Sequence, residues 1–175
     1  MRSKIDQLTE ALRLAEEVTA ALRKRRYGRG ALRIETGEVT FAFDGEGGVA
    51  RAWIETEPLA HMLVEELMIA ANEAVAELLA GRDREAVYRV HEQPDPQSVE
   101  LLLAKLADLE VPTPPAPDNL RPADAAKLAA RVSTTVMRYV EQTGRGREAY
   151  PPLVLRALKQ ARYDPRNLGH SGLAS

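Results

Sequence analysis

Three histidines, His61, His91 and His170, and the carboxylates of one long apolar stretch are the residues of this chain best suited to chemistry. In HMLVEELMIAAN, Glu65 and Asn72 stand seven residues apart, nearly two helical turns, so they share a face. Glu66 and Glu73 repeat that spacing one position later. Carboxylates and an amide on an otherwise apolar helix are costly when buried alone, so each pair either faces solvent or lines a polar channel. Glu65 and Glu66 do not form an acid/base couple, because adjacent helix positions splay about 100° apart. No histidine lies four residues from another histidine, and no metal-binding motif is legible. His91 ends a strand-like segment, where a histidine usually serves as a structural hydrogen-bonder. His170 sits in a Gly-His-Ser-Gly loop, whose glycines let backbone approach a ligand closely. Ser171 has a histidine beside it but no orienting acid in view, so a nucleophilic triad is not supported. The stretch RKRRYGRG can touch phosphates and stack a base on Tyr27, or it is a solvated helix end. A net charge of −2 favours the second reading.

The elements that must position these groups follow from periodicity. Ile5, Leu8, Leu12, Ala15, Thr19 and Leu22 recur at helical spacing and predict a helix from about Ser3 to Arg25, ended by Gly28. ALRIE, EVTFAF and GVARAWIE are short and alternating, separated by turn residues, and predict three antiparallel strands in a meander. Thr56 or Glu57 caps the next helix, with Pro58 in its first turn. Its apolar positions, from Leu59 through Leu63, Leu67, Ala70 and Ala74 to Leu78, are widened by Val64, Ala71 and Val75, which predicts a central, buried helix. AVYRVHE reads as a buried strand. Asp95-Pro96 opens a helix carried by Val99, Leu102, Leu103, Leu106 and Leu109. VPTPPAPDN is a stiff loop, helix resumes near Pro122 through Leu128, Val132, Val136 and Val140, and a last helix carries Leu153, Leu155, Leu158 and Ala161. The layout is α+β: an antiparallel β-meander packed with about five helices.

Composition sets the outer bounds. The 175 residues suit one domain, 45% are apolar, 29% charged and only 5% aromatic, so Ala, Leu and Val do most of the packing. The absence of cysteine excludes disulfides, thiol nucleophiles and Cys-type zinc sites. No apolar run approaches the roughly 18 residues of a membrane span, and the start lacks a signal-peptide core, so a cytoplasmic protein is expected.

Three segments in order, LAHMLVEELMIAANEAVAELL, YRVHEQPDP and LRALKQARYDPRNLGHSGLAS, resemble successive signatures of the ribonuclease II/ribonuclease R family, and GRGALRIETGEVTFAF resembles the family's segment ahead of them. The resemblance spans essentially the whole chain. It implies part of a 3′-to-5′ hydrolytic exoribonuclease acting on single-stranded RNA and releasing nucleoside 5′-monophosphates. In that family, an α+β catalytic domain surrounds a deep channel with Mg2+ held by an aspartate cluster. The resemblance further implies that residues 1–175 are a central segment, with the aspartate cluster upstream and a Ser-Pro-x-Arg motif downstream. The segment would then supply scaffold and channel wall, be inactive alone, and hold neither catalytic residues nor metal ligands. Glu65, Asn72, Arg89, His91 and His170 are the positions that the resemblance assigns to RNA binding, Asn72 and His91 in a more structural capacity. Ile34 stands where several relatives carry an aromatic that clamps a base. Partners expected are single-stranded RNA and the flanking segments of the same domain, with no DNA and no membrane. Two alternatives stay open: a piece of a split enzyme, active when its flanking segments are present, and a non-catalytic RNA- or protein-binding module derived from the family.

Overall fold

The computed structural model describes residues 4–34, 38–55, 59–117 and 119–175. In chain order the elements are α1 (Lys4–Arg29), β1 (Glu38–Phe43), β2 (Val49–Glu55), α2 (Leu59–Gly81), β3 (Tyr88–Val90), α3 (Pro96–Asp108), α4 (Pro122–Thr143), α5 (Tyr150–Arg156) and β4 (Arg162–Asp164), followed by a 3-10 turn at Ser171–Leu173. The α+β class holds. Its strands form two separate antiparallel pairs, β1–β2 and β3–β4. No described helix is long and apolar enough to cross a membrane.

The core lies among the last three helices. On α4, Ala125, Leu128, Ala129, Val132, Val136 and Val140 repeat every three or four residues and form one buried stripe. Val99, Leu102 and Leu106 of α3 pack against it, together with Val111, Tyr150, Val154 and Ala157. Asp95 caps α3 by accepting a hydrogen bond from the Gln97 N–H (3.3 Å), with proline at the first turn. Gly144 ends α4 in the left-handed region (φ 70°), which a side chain would disfavour. Gly146 (φ +67°) lies beneath the Tyr150 ring, where an added Cβ would stand 2.2 Å from a ring carbon. The sequence GRGREAY is thus a turn built for Tyr150 to reach the core.

Several expectations are corrected. ALRIE is not a strand over its described residues, because its N–H groups bond elsewhere. Leu32 donates to the Gly172 carbonyl (2.9 Å) and Arg33 to Ser133 Oγ on α4 (3.0 Å), while Ile34 packs on the α4 core. The predicted meander is therefore a two-stranded hairpin. The helix expected to reach Ala161 stops at Arg156, and the chain turns back into β4. The first helix runs on to Arg29, past Gly28. The expected capping residues of α2 lie outside the described residues.

The largest correction concerns α2. Leu59, Val64, Leu67, Met68, Val75 and Leu78 are all exposed, and the buried residue of this helix is Glu66. Its neighbour is α1 alone among the better-packed elements, and the face turned to α1 includes Glu66 and Glu73. Apolar content predicted a central helix, but a helix with one packing partner can bury only one stripe.

Leu106→Ala, at a fully buried position, is expected to lose about 2–5 kcal/mol of stability. Leu67→Ala, on the open face of α2, should change it by no more than about 0.5 kcal/mol. Urea unfolding of both variants checks where the core lies.

Candidate functional site

The first cluster joins α1 to α2. Arg26 and Glu66 are both almost fully buried and form a two-pronged ion pair, with Arg26 Nε donating to Glu66 Oε2 at 3.2 Å and Nη2 to Oε1. Burial works against the charge of Arg26, but the Glu66 hydrogen bond and charge more than offset it, and the guanidinium is held above its ordinary pKa. One turn on, Arg29 pairs with Glu73 at 2.8 and 3.1 Å. The guanidiniums of Arg23 and Arg26 lie 5.6 and 5.0 Å from the Tyr27 ring centroid. Thr19, Arg23, Tyr27, Met62 and Glu66 line a groove of about 340 Å³ between the helices. The basic end of α1 is thus neither wholly solvated nor wholly available to phosphates.

Glu65, one position from Glu66, is half exposed and stands 3.9 Å from Arg26. Asn72 is exposed on the same side of α2. The two share a face as their spacing predicts, and it is the open face of the helix.

The second cluster ties the C-terminal loop to the β3–β4 ribbon. In that ribbon Tyr88, Arg89 and Val90 stand opposite Asp164, Tyr163 and Arg162. His91 continues from β3 and meets His170 in a parallel bridge. The His91 N–H donates to the Gly169 carbonyl (3.1 Å), and the Ser171 N–H donates to the His91 carbonyl (2.8 Å). The imidazole is engaged at both nitrogens. Nε2 lies 2.6 Å from the Lys159 carbonyl and must carry the proton there, so Nδ1 accepts from the Gly172 N–H (3.0 Å). Ser171 Oγ lies 2.7 Å from that Nδ1 and 2.8 Å from the Glu92 carbonyl, two acceptors that share its one hydroxyl proton. Gly172 allows this approach, since an added Cβ would crowd both histidine rings at 3.3 Å. A serine on a histidine resembles a catalytic pair, but the third member is a backbone carbonyl where an acid would stand. The arrangement is a clip between distant stretches of chain.

His170 stacks on His91 with ring centroids 5.0 Å apart. Its Nδ1 is buried without a hydrogen-bond partner. Burial, then the neighbouring His91, and more weakly Arg89, push its pKa below the ordinary value. Arg89 itself is exposed on the outer side of the ribbon. Around the clip, Glu92 pairs with Arg162 (2.7 Å) and then Lys159 (3.1 Å), which hold its carboxyl below the usual range. Arg166, through its side chain and its N–H, and Arg162 hold the nearly buried Asp164 lower still.

The structure therefore brings His91, His170 and Arg89 together and keeps Glu65 and Asn72 apart on α2. The expected aromatic position, Ile34, is spent on core packing. Sequence reasoning missed the Arg26–Glu66 pair, whose only signal was a carboxylate on an apolar helix. It also missed the link from Ser171 to His91, which spans 80 residues. Among the described residues, no group of three or more His, Asp or Glu side chains could hold a metal ion.

Arg26→Met strands the Glu66 carboxylate in a buried place and should cost about 3–5 kcal/mol, while Arg26→Met combined with Glu66→Leu should recover most of it. A double-mutant cycle by urea unfolding reads this. For His170, a lowered folded pKa means that the unfolded chain takes up the proton first. The contribution is intact above the ordinary value of 6.5 and falls as the pH drops below it towards the folded value. Between about pH 7.5 and about pH 5.5 the wild-type chain should lose more stability than His170→Gln, measured by denaturant midpoint.

The RNB domain family matches residues 2–175. Ribonuclease R of Escherichia coli strain K12 is 31% identical over 174 residues, covering 99% of this chain and 20% of the relative. Ribonuclease R of Thermotoga maritima is 34% identical over 162 residues, covering 92% of this chain and 21% of the relative. The chain thus spans about a fifth of the length of these curated relatives. Among solved structures, the apo form of Mycoplasma genitalium RNase R superposes with a TM-score of 0.80 at 21% identity, over 97% of this chain and 25% of that one. The same values apply to that protein in complex with ribose-methylated single-stranded RNA, and they speak for the fold. With its matched span and its α+β architecture both in place, the chain belongs to the RNB domain family.

Proposed function

We propose that residues 1–175 form scaffold and RNA-channel wall in a 3′-to-5′ hydrolytic exoribonuclease that degrades single-stranded RNA to nucleoside 5′-monophosphates. The observation that carries this reading is the family match along residues 2–175, reinforced by relatives named ribonuclease R at 31% and 34% identity. Solved relatives with the same fold are described in complex with single-stranded and double-stranded RNA, which supports RNA as the ligand. Glu65, Asn72, Arg89, His91 and His170 are the proposed contributors to the RNA path. The clip geometry favours His91 as a residue that shapes the path, since both of its ring nitrogens are engaged within the protein.

The described residues of this chain do not gather ligands that fit a magnesium ion. Its best-placed carboxylates, Glu92, Asp164, Glu66 and Glu73, are each committed to arginine or lysine. The hydrolytic step is accordingly not assigned to these residues, and the Mg2+ of the family reading falls to other parts of a complete enzyme. Those parts also have surfaces to meet. Val39, Phe41, Phe43 and Val49 lie on one face of the β1–β2 hairpin, and all are at least half exposed. A two-stranded hairpin is marginal by itself in water, and such a face is stabilised by a covering layer. Relatives about five times as long have chain to provide one. The proposal includes a cytoplasmic location.

The purified chain is expected to bind single-stranded RNA in a salt-sensitive way and to release no mononucleotides with Mg2+ present. Mixing it with separately expressed flanking parts of a ribonuclease R should yield 3′-to-5′ release. Magnesium-dependent release by the chain alone would overturn the division of labour. Binding without release, even in the mixture, would favour a non-catalytic RNA-binding module.

A further inference from the structure

We infer that Arg89 and Tyr163 form a nucleotide-stacking site on the outward face of the β3–β4 ribbon. This rests on the RNA reading above and names a subsite within it. The two residues stand directly opposite each other in the antiparallel register, so their side chains leave the same face. The flanking pairs, Tyr88 with Asp164 and Val90 with Arg162, leave the other face, where Tyr88, Val90 and Asp164 are buried. Tyr163 is 69% exposed, and among the described residues it stacks on no other ring. An exposed aromatic ring on a paired strand costs little to position against a base.

Arg89 supplies the matching charge. Among the described residues its guanidinium has no hydrogen-bond or ion-pair partner, whereas Arg162 on β4 and Arg166 just beyond it are taken up by Glu92 and Asp164. Its positive field reaches the buried imidazole of His170, where it disfavours a second positive charge. A protein surface covering this spot would need to bring a carboxylate for the guanidinium. A nucleotide brings both complements, a phosphate for Arg89 and a base for Tyr163. The ion pairs of Asp164 and the His91 clip hold the ribbon from beneath, so the outward pair sits on a rigid support.

The test is fluorescence anisotropy of labelled oligouridine with the wild-type chain and four variants. Tyr163→Phe should bind within about twofold of wild type. Tyr163→Ala and the strand-favouring Tyr163→Val should each weaken binding roughly 5- to 150-fold. Arg89→Gln should weaken binding and lower the salt slope by about 0.7. The melting temperature should stay the same throughout, because both side chains are exposed. Oligouridine carrying 5-iodouridine should photo-crosslink to Tyr163. If wild type binds RNA but Tyr163→Val binds equally, or the crosslinks map only elsewhere, the subsite is refuted while the RNA reading stands. If wild type binds no RNA, both fall.

Discussion

The imidazole of His91 holds together stretches of chain that no local force would join. Its Nε2–H is aimed at the carbonyl of Lys159, and its Nδ1 receives the N–H of Gly172. The backbone of the same residue bonds Gly169 and Ser171. Because one nitrogen donates and the other accepts, the ring works in a single tautomer, and that tautomer fixes the loop's register on β3. Gly172 in turn accepts from Leu32, so the segment after α1 is tied to the same knot. The chain that follows α1, the ribbon, the stretch after α5 and the C-terminal loop thus meet at one buried ring. Leaving either nitrogen unpaired would incur the desolvation cost of a buried polar group, so the knot is cooperative in a physical sense.

A second constraint sets what α2 can do. Its buried partner is a charge, Arg26, and its apolar side chains look outward. A buried ion pair contributes little net stability relative to apolar residues of the same shape, but it penalises every register that separates the charges. Arg29 and Glu73 repeat the device one turn further along. The two helices are therefore fixed in rotation more firmly than hydrophobic contact alone would fix them. That rotation decides which side of α2 presents Glu65 and Asn72.

Where the sequence was legible, the local signal and the tertiary outcome coincided. Asp95-Pro96 starts α3, Gly144 ends α4, and the valines at 132, 136 and 140 are buried as their spacing requires. The α+β class followed from the change of hydrophobic period. Legibility failed where partners decide. Leu32 and Ile34 alternate like a strand, yet their segment is bound by Ser133 and Gly172, each more than 95 residues away. Leu67 and Leu78 look like core, and only the absence of a second helix beside them among the described residues makes them surface. β4 is three residues long and carries almost no periodic signal.

The candidate site shows the same division at finer grain. Glu65 and Glu66 are adjacent and chemically identical, and family resemblance alone directs attention to Glu65. A rotation of about 100° separates a half-exposed carboxylate from one sealed against Arg26. His91 and His170 likewise share a residue type and lie 5.0 Å apart, yet one ring is bonded at both nitrogens and the other has a buried nitrogen with no partner. Residue type supplied the candidates, and spacing assigned them to faces. Which of two neighbours is free to meet a ligand depends on what the opposite surface already holds. That surface comes from residues 26, 159 and 172, far from the motifs that first drew notice.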